Sequence, residues 1–531
     1  MDVNNNNLYR RLSSSVAVLP LLGLVSCGSQ DKPNIVFILA DDYGWNETSA
    51  TGSQYYETPN IDRIASRGIN FTQGYSACQV SSPSRASLMT GLYTTRHGVT
   101  DWIGEYSGED WRSMGRHNKV LPADYSWNLN VDRFKCLPQI LHDGGYKTAM
   151  FGKWHLGSST TPEMAGFDIN VGGYDAGHPR NGYFSPYNNP KLTDGPAGEN
   201  LSIRLAEETN RFLEEQASQK KKSPFFVYLS FYAVHAPIQT TEERWRYFRD
   251  KAVEMGIESD AFAIDRTLPV RLHQDNPVYA GLIQQMDISV GMVLDKLEEL
   301  KLDKNTIVIF TSDNGGVSSG DAYSSSMYPL RGGKGRQWEG GIRVPLFVSI
   351  PKLNKPFDSC DTPVCTVDMM PTILDYAGLE CPDDIDGVSI RPLLEGRQIK
   401  ERALFWHYPH YGNQGGEPSS IIRDGDFKLI YYHEDGRYEL YNLTKDRGET
   451  SNIIEENKAV AEQMKAKLSE WLVHTGARMP VLDTEYDEAT SAAYWKMNAE
   501  KILKSQTELR NKMLEDNWQP NKDWWGSKTE D

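Results

Sequence analysis

The feature that most restricts this 531-residue chain is a recurrence of short, nearly continuous apolar runs at 35–40, 147–151, 225–231 and 306–311, separated by long amphipathic stretches. Runs of this kind suit strands buried on both faces, the pattern of parallel strands linked and covered by helices. The stretches at 201–216 and 278–300 carry apolar residues at spacings of three and four and read as covering helices. An open α/β sheet gathers ligands outside the carboxyl ends of its strands. Each run ends within a few residues of a polar group able to do chemistry, Asp41, Lys153, His235 and Asp313 respectively. The four segments should therefore converge on one site.

After Arg402 the texture changes. Short alternating segments at 420–422, 427–432 and 437–443 are divided by Asp424-Gly425 and Asp435-Gly436, both hairpin signals. A helix with Val460, Met464, Leu468 and Leu472 on one face follows, then a charged, helix-prone tail at 488–517 and an aromatic end, Trp518, Trp524 and Trp525. The expected fold is α/β: a large mixed, mostly parallel sheet flanked by helices at 27–400, with a smaller α+β domain of antiparallel strands and a helix at 401–531. No internal repeat of ~20–50 residues points to a solenoid.

The longest apolar run, at 16–25, is interrupted by Pro20 and falls well short of the ~20 residues a membrane-spanning helix needs. Arg10 and Arg11 precede it and Leu24-Val25-Ser26-Cys27 closes it, the layout of an export signal. This stretch resembles a bacterial lipobox, which implies removal of residues 1–26 and a lipid anchor on Cys27; an ordinary cleaved signal with an incidental Cys is the alternative. The expected location is outside the cytoplasm, periplasmic or as a membrane-anchored lipoprotein. The other cysteines (Cys78, Cys136, Cys360, Cys365 and Cys381) form no disulfide framework, although Cys360 and Cys365 could pair in an oxidising compartment. The absence of a CxxC motif leaves a zinc ribbon unsupported. A balance of 56 Lys and Arg against 72 Asp and Glu, −16 in all, argues against nucleic acid as a partner. An anionic substrate would need a local positive pocket.

Asp41-Asp42 closes the first run and Asp313-Asn314 closes another. Three carboxylates and an amide, with no nearby Cys or His, make an oxygen-only set suited to Ca²⁺ or Mg²⁺ rather than Zn²⁺. Each pair alone is weak evidence, since Asp-Asp after a strand is more often a helix cap or turn and Asp313-Asn314 could be just a turn. The segment Ser81-Ser82-Pro83-Ser84-Arg85-Ala86-Ser87-Leu88-Met89-Thr90-Gly91 is more specific. It resembles the signature of the formylglycine-dependent sulfatases: Cys or Ser, any residue, Pro, a small residue, Arg, then a helix ending in Thr-Gly. Cys78 has Val80 and Ser82 where Pro and Arg belong, and Ser82 has Ser84 and Ala86; Ser81 alone fits. A capped helix start with Pro in its first turn would account for only part of the match.

The resemblance runs from Asn34 to about Asn452 and includes Gly152-Lys153-Trp154-His155-Leu156-Gly157, Val234-His235-Ala236-Pro237 and Gly333-Lys334-Gly335. It continues through Trp338-Glu339-Gly340-Gly341-Ile342-Arg343-Val344-Pro345, Tyr438-Glu439-Leu440-Tyr441-Asn442-Leu443 and Gly448-Glu449, with Arg447 where Pro is common. It implies a serine-type, arylsulfatase-like member of the alkaline phosphatase superfamily, of the exported bacterial kind that desulfates glycans. By that resemblance a maturation enzyme converts Ser81 to formylglycine, and Asp41, Asp42, Asp313 and Asn314 hold Ca²⁺, preferred over Mg²⁺, with Ser81 completing the ligand set. Arg85 and Lys153 would support the formylglycine and sulfate, His155 would aid elimination, and His235 with Lys334 would act on the ester oxygen and sulfate. His235 is the expected proton donor to the leaving oxygen, because imidazole titrates nearest neutral pH.

The chemistry explains the need for conversion. A plain serine would be left stably sulfated, whereas the hydrated aldehyde has a second hydroxyl that can expel sulfate. Three carboxylates against Ca²⁺ leave −1, and Arg85, Lys153 and Lys334 bring the cluster to +2, a match for an anionic sulfate monoester. For the sugar, the segment from Gly172 to Arg180 mixes Gly with aromatic and hydrogen-bonding groups, which makes His178 and Arg180 candidates. The segment from Trp406 to Tyr411 could reach over the same opening with His407 and His410. Either stretch could instead be a packed loop. Similarity favours sulfated galactose or N-acetylgalactosamine at a chain end. Two other classes stay open: a metal-dependent phosphomonoesterase or phosphodiesterase of the same superfold, and a sulfated-glycan binder with Ser81 unconverted.

Overall fold

Strand β1, Asn34–Ala40, is buried along its whole length, and its side chains divide between two cores. Val36, Ile38 and Ala40 enter one apolar cluster, while Ile35, Phe37 and Leu39 enter the other. Burial on both faces is why the run is continuously apolar rather than alternating. The computed structural model describes residues 32–220, 222–257, 260–351, 358–520 and 524–525. The expected signal segment and Cys27 lie outside the described residues.

Around β1 the chain builds an eight-stranded sheet. Its other strands are β2 (Ile69–Phe71), β3 (Lys147–Gly152), β4 (Ile169–Val171), β5 (Phe225–Ser230), β6 (Thr306–Ser312), β7 (Leu346–Ser349) and β8 (Asp358–Cys360). The spatial order is β8-β2-β7-β6-β1-β5-β3-β4. Only β7 runs against its neighbours, so the sheet is mixed and mostly parallel. Ala40 pairs with Ser312 and Gly152 with Ser230, which brings the carboxyl ends of β1, β6, β3 and β5 to one edge.

Helix α1 (Ser81–Thr90) packs in the core that holds Ile35. On the other face lie α2 (Leu201–Ser218), α3 (Glu242–Glu254) and α4 (Pro277–Glu299). The Asn200 and Asn276 side chains cap α2 and α4 by accepting backbone N–H groups of the first turn.

The smaller sheet has four antiparallel strands in sequence order: β9 (Leu404–Tyr408), β10 (Ser419–Asp424), β11 (Phe427–Tyr432) and β12 (Tyr438–Asn442). Gly425, at φ 57, makes the β10–β11 turn that Asp424-Gly425 signalled. Helix α5 (Lys458–His474) buries Ala461, Met464, Leu468 and Leu472 on this sheet. The chain ends in α6 (Glu488–Met513), after which Trp518 and Trp525 pack on Trp245 of α3 at 5.5 and 5.7 Å. This sheet and the larger part share a core in which Tyr75 meets Trp406, and Trp471 meets Tyr93. Buried Lys428 also reaches Glu339 and Glu449, at 3.2 and 2.8 Å. Arg447 is exposed on a turn beside this contact. Cys360 and Cys365 are free thiols: Cys360 pairs beside Phe71, whereas Cys365 pairs beside Tyr75.

Candidate active site

The strand edge delivers its polar residues as a set. Asp41 follows β1 and Asp313 follows β6, with the Asp42 amide donating to Asp313 Oδ1 at 3.1 Å. Asp42 adopts φ 64, a left-handed conformation that costs a non-glycine residue energy and is held here by the hydrogen bonds around it. Asn314 donates from Nδ2 to Asp42 Oδ1 at 2.8 Å. Carboxylate oxygens of Asp41, Asp42 and Asp313 lie within 4.8 Å of one another, all buried.

Ser81 is the first residue of α1, where free backbone N–H groups favour negative charge. Its Oγ donates toward Asp41 Oδ1 at 3.2 Å and lies 3.3 Å from Asn314 Oδ1. One helical turn on, Arg85 is on the same face, which gives the four-residue spacing its physical meaning. Arg85 donates from Nε to Asp313 Oδ2 at 2.8 Å and from one terminal nitrogen to Ser230 Oγ at 2.6 Å. The helix ends at Gly91, φ 68, the left-handed position that favours glycine. All ten residues of α1 are buried, an unusual place for so polar a sequence. Packing alone does not require it; the site does.

Two lysines complete the cluster. Lys153, just after β3, places Nζ 2.6 Å from Asp41 Oδ2 and 3.4 Å from Ser81 Oγ. Lys334 Nζ lies 2.7 Å from Asp42 Oδ2, 3.1 Å from His235 Nε2 and 3.1 Å from Asp321 Oδ2. Burial and the neighbouring Asp313 push the Asp41 carboxyl well above its ordinary range, and burial lowers Lys153. Burial also opposes ionisation of Asp313, but Arg85 and Lys153 outweigh it and hold that carboxyl down. Crowded buried carboxylates with only oxygen donors fit a hard dication, which would relieve the repulsion that Asp41 feels.

His155, at φ 57, places both ring nitrogens 3.3–3.4 Å from Ser82 Oγ. Burial and the nearby Lys153 and Arg85 keep it neutral. His235 departs from expectation. Burial, then Lys334, lowers its pKa to about 4, so the near-neutral titration of a free imidazole does not apply. Its Nδ1 lies 2.6 Å from the Ala236 carbonyl and so carries the ring proton, leaving Nε2 to accept from Lys334.

Above this cluster opens a cavity of about 370 Å³ lined in part by Ser81, His155, His235 and Lys334. His178 and Arg180 also line it; the His178 ring stacks 6.4 Å from that of His235. Gly177 packs so closely that a Cβ there would fall 2.4 Å from His155, which ties this loop to the catalytic floor. His407 and His410 do not line the cavity. Both are buried: His407 joins Ser420 Oγ and the Arg478 carbonyl at 2.7 and 2.8 Å, and His410 joins Thr100 at 2.9 Å. The residues just beyond, Asn413 and Gln414, take the place expected of them. Asp175, from the same 172–180 segment, also lines the cavity, as do Trp102, Ile103 and Asp321, which did not stand out in the sequence. Asp321 lies eight positions past Asp313 in a Ser-rich loop, and its nearness to Lys334 has no local signal.

Residues 33–379 match the Sulfatase family, and residues 334–474 match the family described as N-sulphoglucosamine sulphohydrolase, C-terminal. The chain is 32% identical over 527 residues to a sulfatase of Formosa agariphila, covering 85% of this chain and 90% of that protein. It is 30% identical over 416 residues to the N-acetylgalactosamine-6-sulfatase of Canis lupus familiaris, covering 73% and 71%. The solved structure of Ps i-CgsB in complex with k-i-k-neocarrahexaose aligns with a TM-score of 0.68 at 24% identity, covering 90% of this chain and 100% of that one, a likeness of fold. The family match extends over well more than half of the chain and takes in Ser81 and the strand-end carboxylates. The chain therefore belongs to the sulfatase family and is an enzyme that hydrolyses sulfate esters.

Proposed function

We propose that this sulfatase removes sulfate from a sugar, with galactose or N-acetylgalactosamine favoured, using a formylglycine made from Ser81 beside Ca²⁺ and acting outside the cytoplasm. The observation that carries the reading is the position of Ser81 Oγ, 3.2 Å from Asp41 and 3.3 Å from Asn314, at the start of α1 and in the wall of the cavity. Formylglycine there would supply a hydrated aldehyde, whose second hydroxyl lets sulfate depart. A dication held by Asp41, Asp42, Asp313 and Asn314 would favour the ionised hydroxyl and polarise the sulfate.

The remaining work falls to the side chains. Lys153 reaches both Ser81 Oγ and Asp41 and so fixes the attacking oxygen against the cluster. Arg85, through Asp313, keeps one metal-facing carboxylate ionised and oriented. Lys334 and His235 face the cavity together, and the resting proton between them belongs to Lys334. The pair, rather than His235 alone, delivers that proton to the leaving oxygen. His155 is neutral and can take a proton during elimination.

Support for a sugar comes from the cavity wall, where Trp102 and Ile103 offer an apolar face among His178, Arg180, Asn413 and Gln414. A sugar ring presents the same mixture of C–H face and hydroxyl edge. Mass spectrometry of the peptide containing Ser81, from protein made in a host with the maturation activity, should show it lighter by two hydrogens. An unmodified serine in fully active enzyme would remove formylglycine from the account.

A further inference from the structure

Contacts run unbroken along the cavity from His178 to His235, Lys334, Asp321 and Gln414. Asp321 is the anomaly in that row, because it puts a negative charge into a pocket that must take an anion. It reduces the +2 counted for the metal-bound cluster to +1. Resting on the sugar reading above, we propose that Asp321 reads a free hydroxyl beside the sulfated position and rejects a sugar carrying a second sulfate there.

Asp321 Oδ2 is already used by Lys334 at 3.1 Å and by Gln414 Nε2 at 3.0 Å. Among the described residues, no hydrogen bond is made to its Oδ1, while the side chain keeps 23% exposure in the cavity wall. That oxygen is an acceptor without a donor, next to the ammonium that faces the sulfate. Burial opposes ionisation, but Lys334 and His235 hold its pKa at about 2, so it can accept hydrogen bonds but not donate them. A hydroxyl on the carbon next to the sulfate ester satisfies it. A second sulfate there meets like charge in a partly desolvated site and offers no proton.

The loop is built to hold this position. Asp321 sits at φ 42, a conformation that is costly for a residue with a side chain. The loop is tied down on both sides: Arg271 Nε donates to the Tyr323 carbonyl at 2.6 Å, Ser319 Oγ to the Pro269 carbonyl at 2.7 Å, and Arg336 to Ser319 Oγ at 3.2 Å. Gln414, from the segment joining β9 to β10, fixes the carboxylate from the other part of the chain.

The test compares kcat/KM on monosulfated galactose and N-acetylgalactosamine, on their counterparts with a second sulfate on the adjacent carbon, and on 4-nitrophenyl sulfate. The converted enzyme and Asp321→Asn are measured side by side. The wild type should prefer the monosulfated sugar by about 100-fold or more, since a site that hydrogen-bonds a hydroxyl discriminates strongly. Asp321→Asn should narrow that ratio to within about tenfold, because the amide removes the charge and can donate to sulfate. A ratio unchanged by the substitution, with all substrates slowed alike, would show that Asp321 only positions Lys334 and would overturn the proposal. No wild-type preference would overturn it as well. A wild type active on 4-nitrophenyl sulfate and inactive on every sugar would instead overturn the sugar reading on which the proposal stands.

Discussion

The floor and the rim of the cavity are built on opposite principles. On the floor, Asp41, Asp42, Ser81, Arg85, Lys153 and Asp313 are buried and each is held by at least one neighbour. Every one stands at the end of a strand or on the first turns of a helix. At the rim, Asp175, His178, Arg180 and Asn413 are exposed on loops, and Arg180 rests on the Tyr174 ring at 5.0 Å. The floor has one workable geometry, so it is rigid and intolerant of change. The rim is solvated and can be altered piece by piece.

The largest effect should come from the floor. Under the proposed mechanism Ser81→Ala should lower turnover at least ~10⁴-fold on every sulfate ester, because it removes the attacking oxygen. Circular dichroism and thermal melting should barely change, since little buried volume is lost. Appreciable turnover in that variant would blur the division between floor and rim from the start.

Asp313→Ala should come next. It removes the nearest carboxylate of Arg85, leaving that buried guanidinium only Asp41 at 3.7 Å, and it removes the acceptor of the Asp42 amide; breaking a buried pair typically costs ~3–5 kcal/mol. Ca²⁺ binding by calorimetry should weaken and the melting temperature should fall. Exhaustive chelation of the wild type should lower both activity and melting temperature. If chelation alters neither, the cluster is an ion-pair network and not a metal site.

A rim substitution should be selective. His178→Ala should cut kcat/KM about tenfold or more on a sulfated sugar and much less on a small aryl sulfate, which has no sugar hydroxyl to lose. Equal losses on both would move His178 to the floor through its contact with His235.

The buried histidines away from the cavity sharpen the contrast from outside it. Burial lowers His407 to about 4, below the ~6.5 of an unfolded chain, so between those values the unfolded state binds more protons. Its contribution to stability is therefore complete above about pH 6.5 and is lost as pH falls toward 4. His407→Asn should flatten the pH dependence of denaturant stability by up to ~1.4 kcal/mol per pH unit in that window, with kcat/KM unaffected in selectivity. A change in selectivity would return His407 to the substrate site.

The same division explains what could be read from the chain. The strands around β1 were legible because two-sided burial writes a continuous apolar run, and Ser81, Pro83 and Arg85 were legible through their resemblance to the sulfatase signature, whose four-residue step from Ser to Arg is one turn of α1. Strand β9 was not anticipated: Trp406 to Tyr411 looks like a recognition loop in isolation, yet His407 pairs opposite Ser420 inside a sheet. Asp321, Trp102 and Gln414 left no trace, because their meeting depends on chain segments far apart in sequence, 93 residues between Asp321 and Gln414, and on no local period. The proton position on His235 was likewise out of reach, since it follows from a carbonyl at 2.6 Å and a lysine at 3.1 Å.

The depth of the cationic groups has a kinetic consequence. Arg85 and Lys153 are sealed beneath the surface and Lys334 is nearly so, while the chain as a whole carries −16. Were the substrate a sulfated polymer, as proposed, it would meet a protein of net negative charge first and feel attraction only within the mouth of the cavity. With a screening distance of ~8 Å at physiological ionic strength, those two fields separate. Moderate salt should hasten encounter with a polyanion by muting the outer repulsion, and the gain should vanish for a substrate bearing a single sulfate.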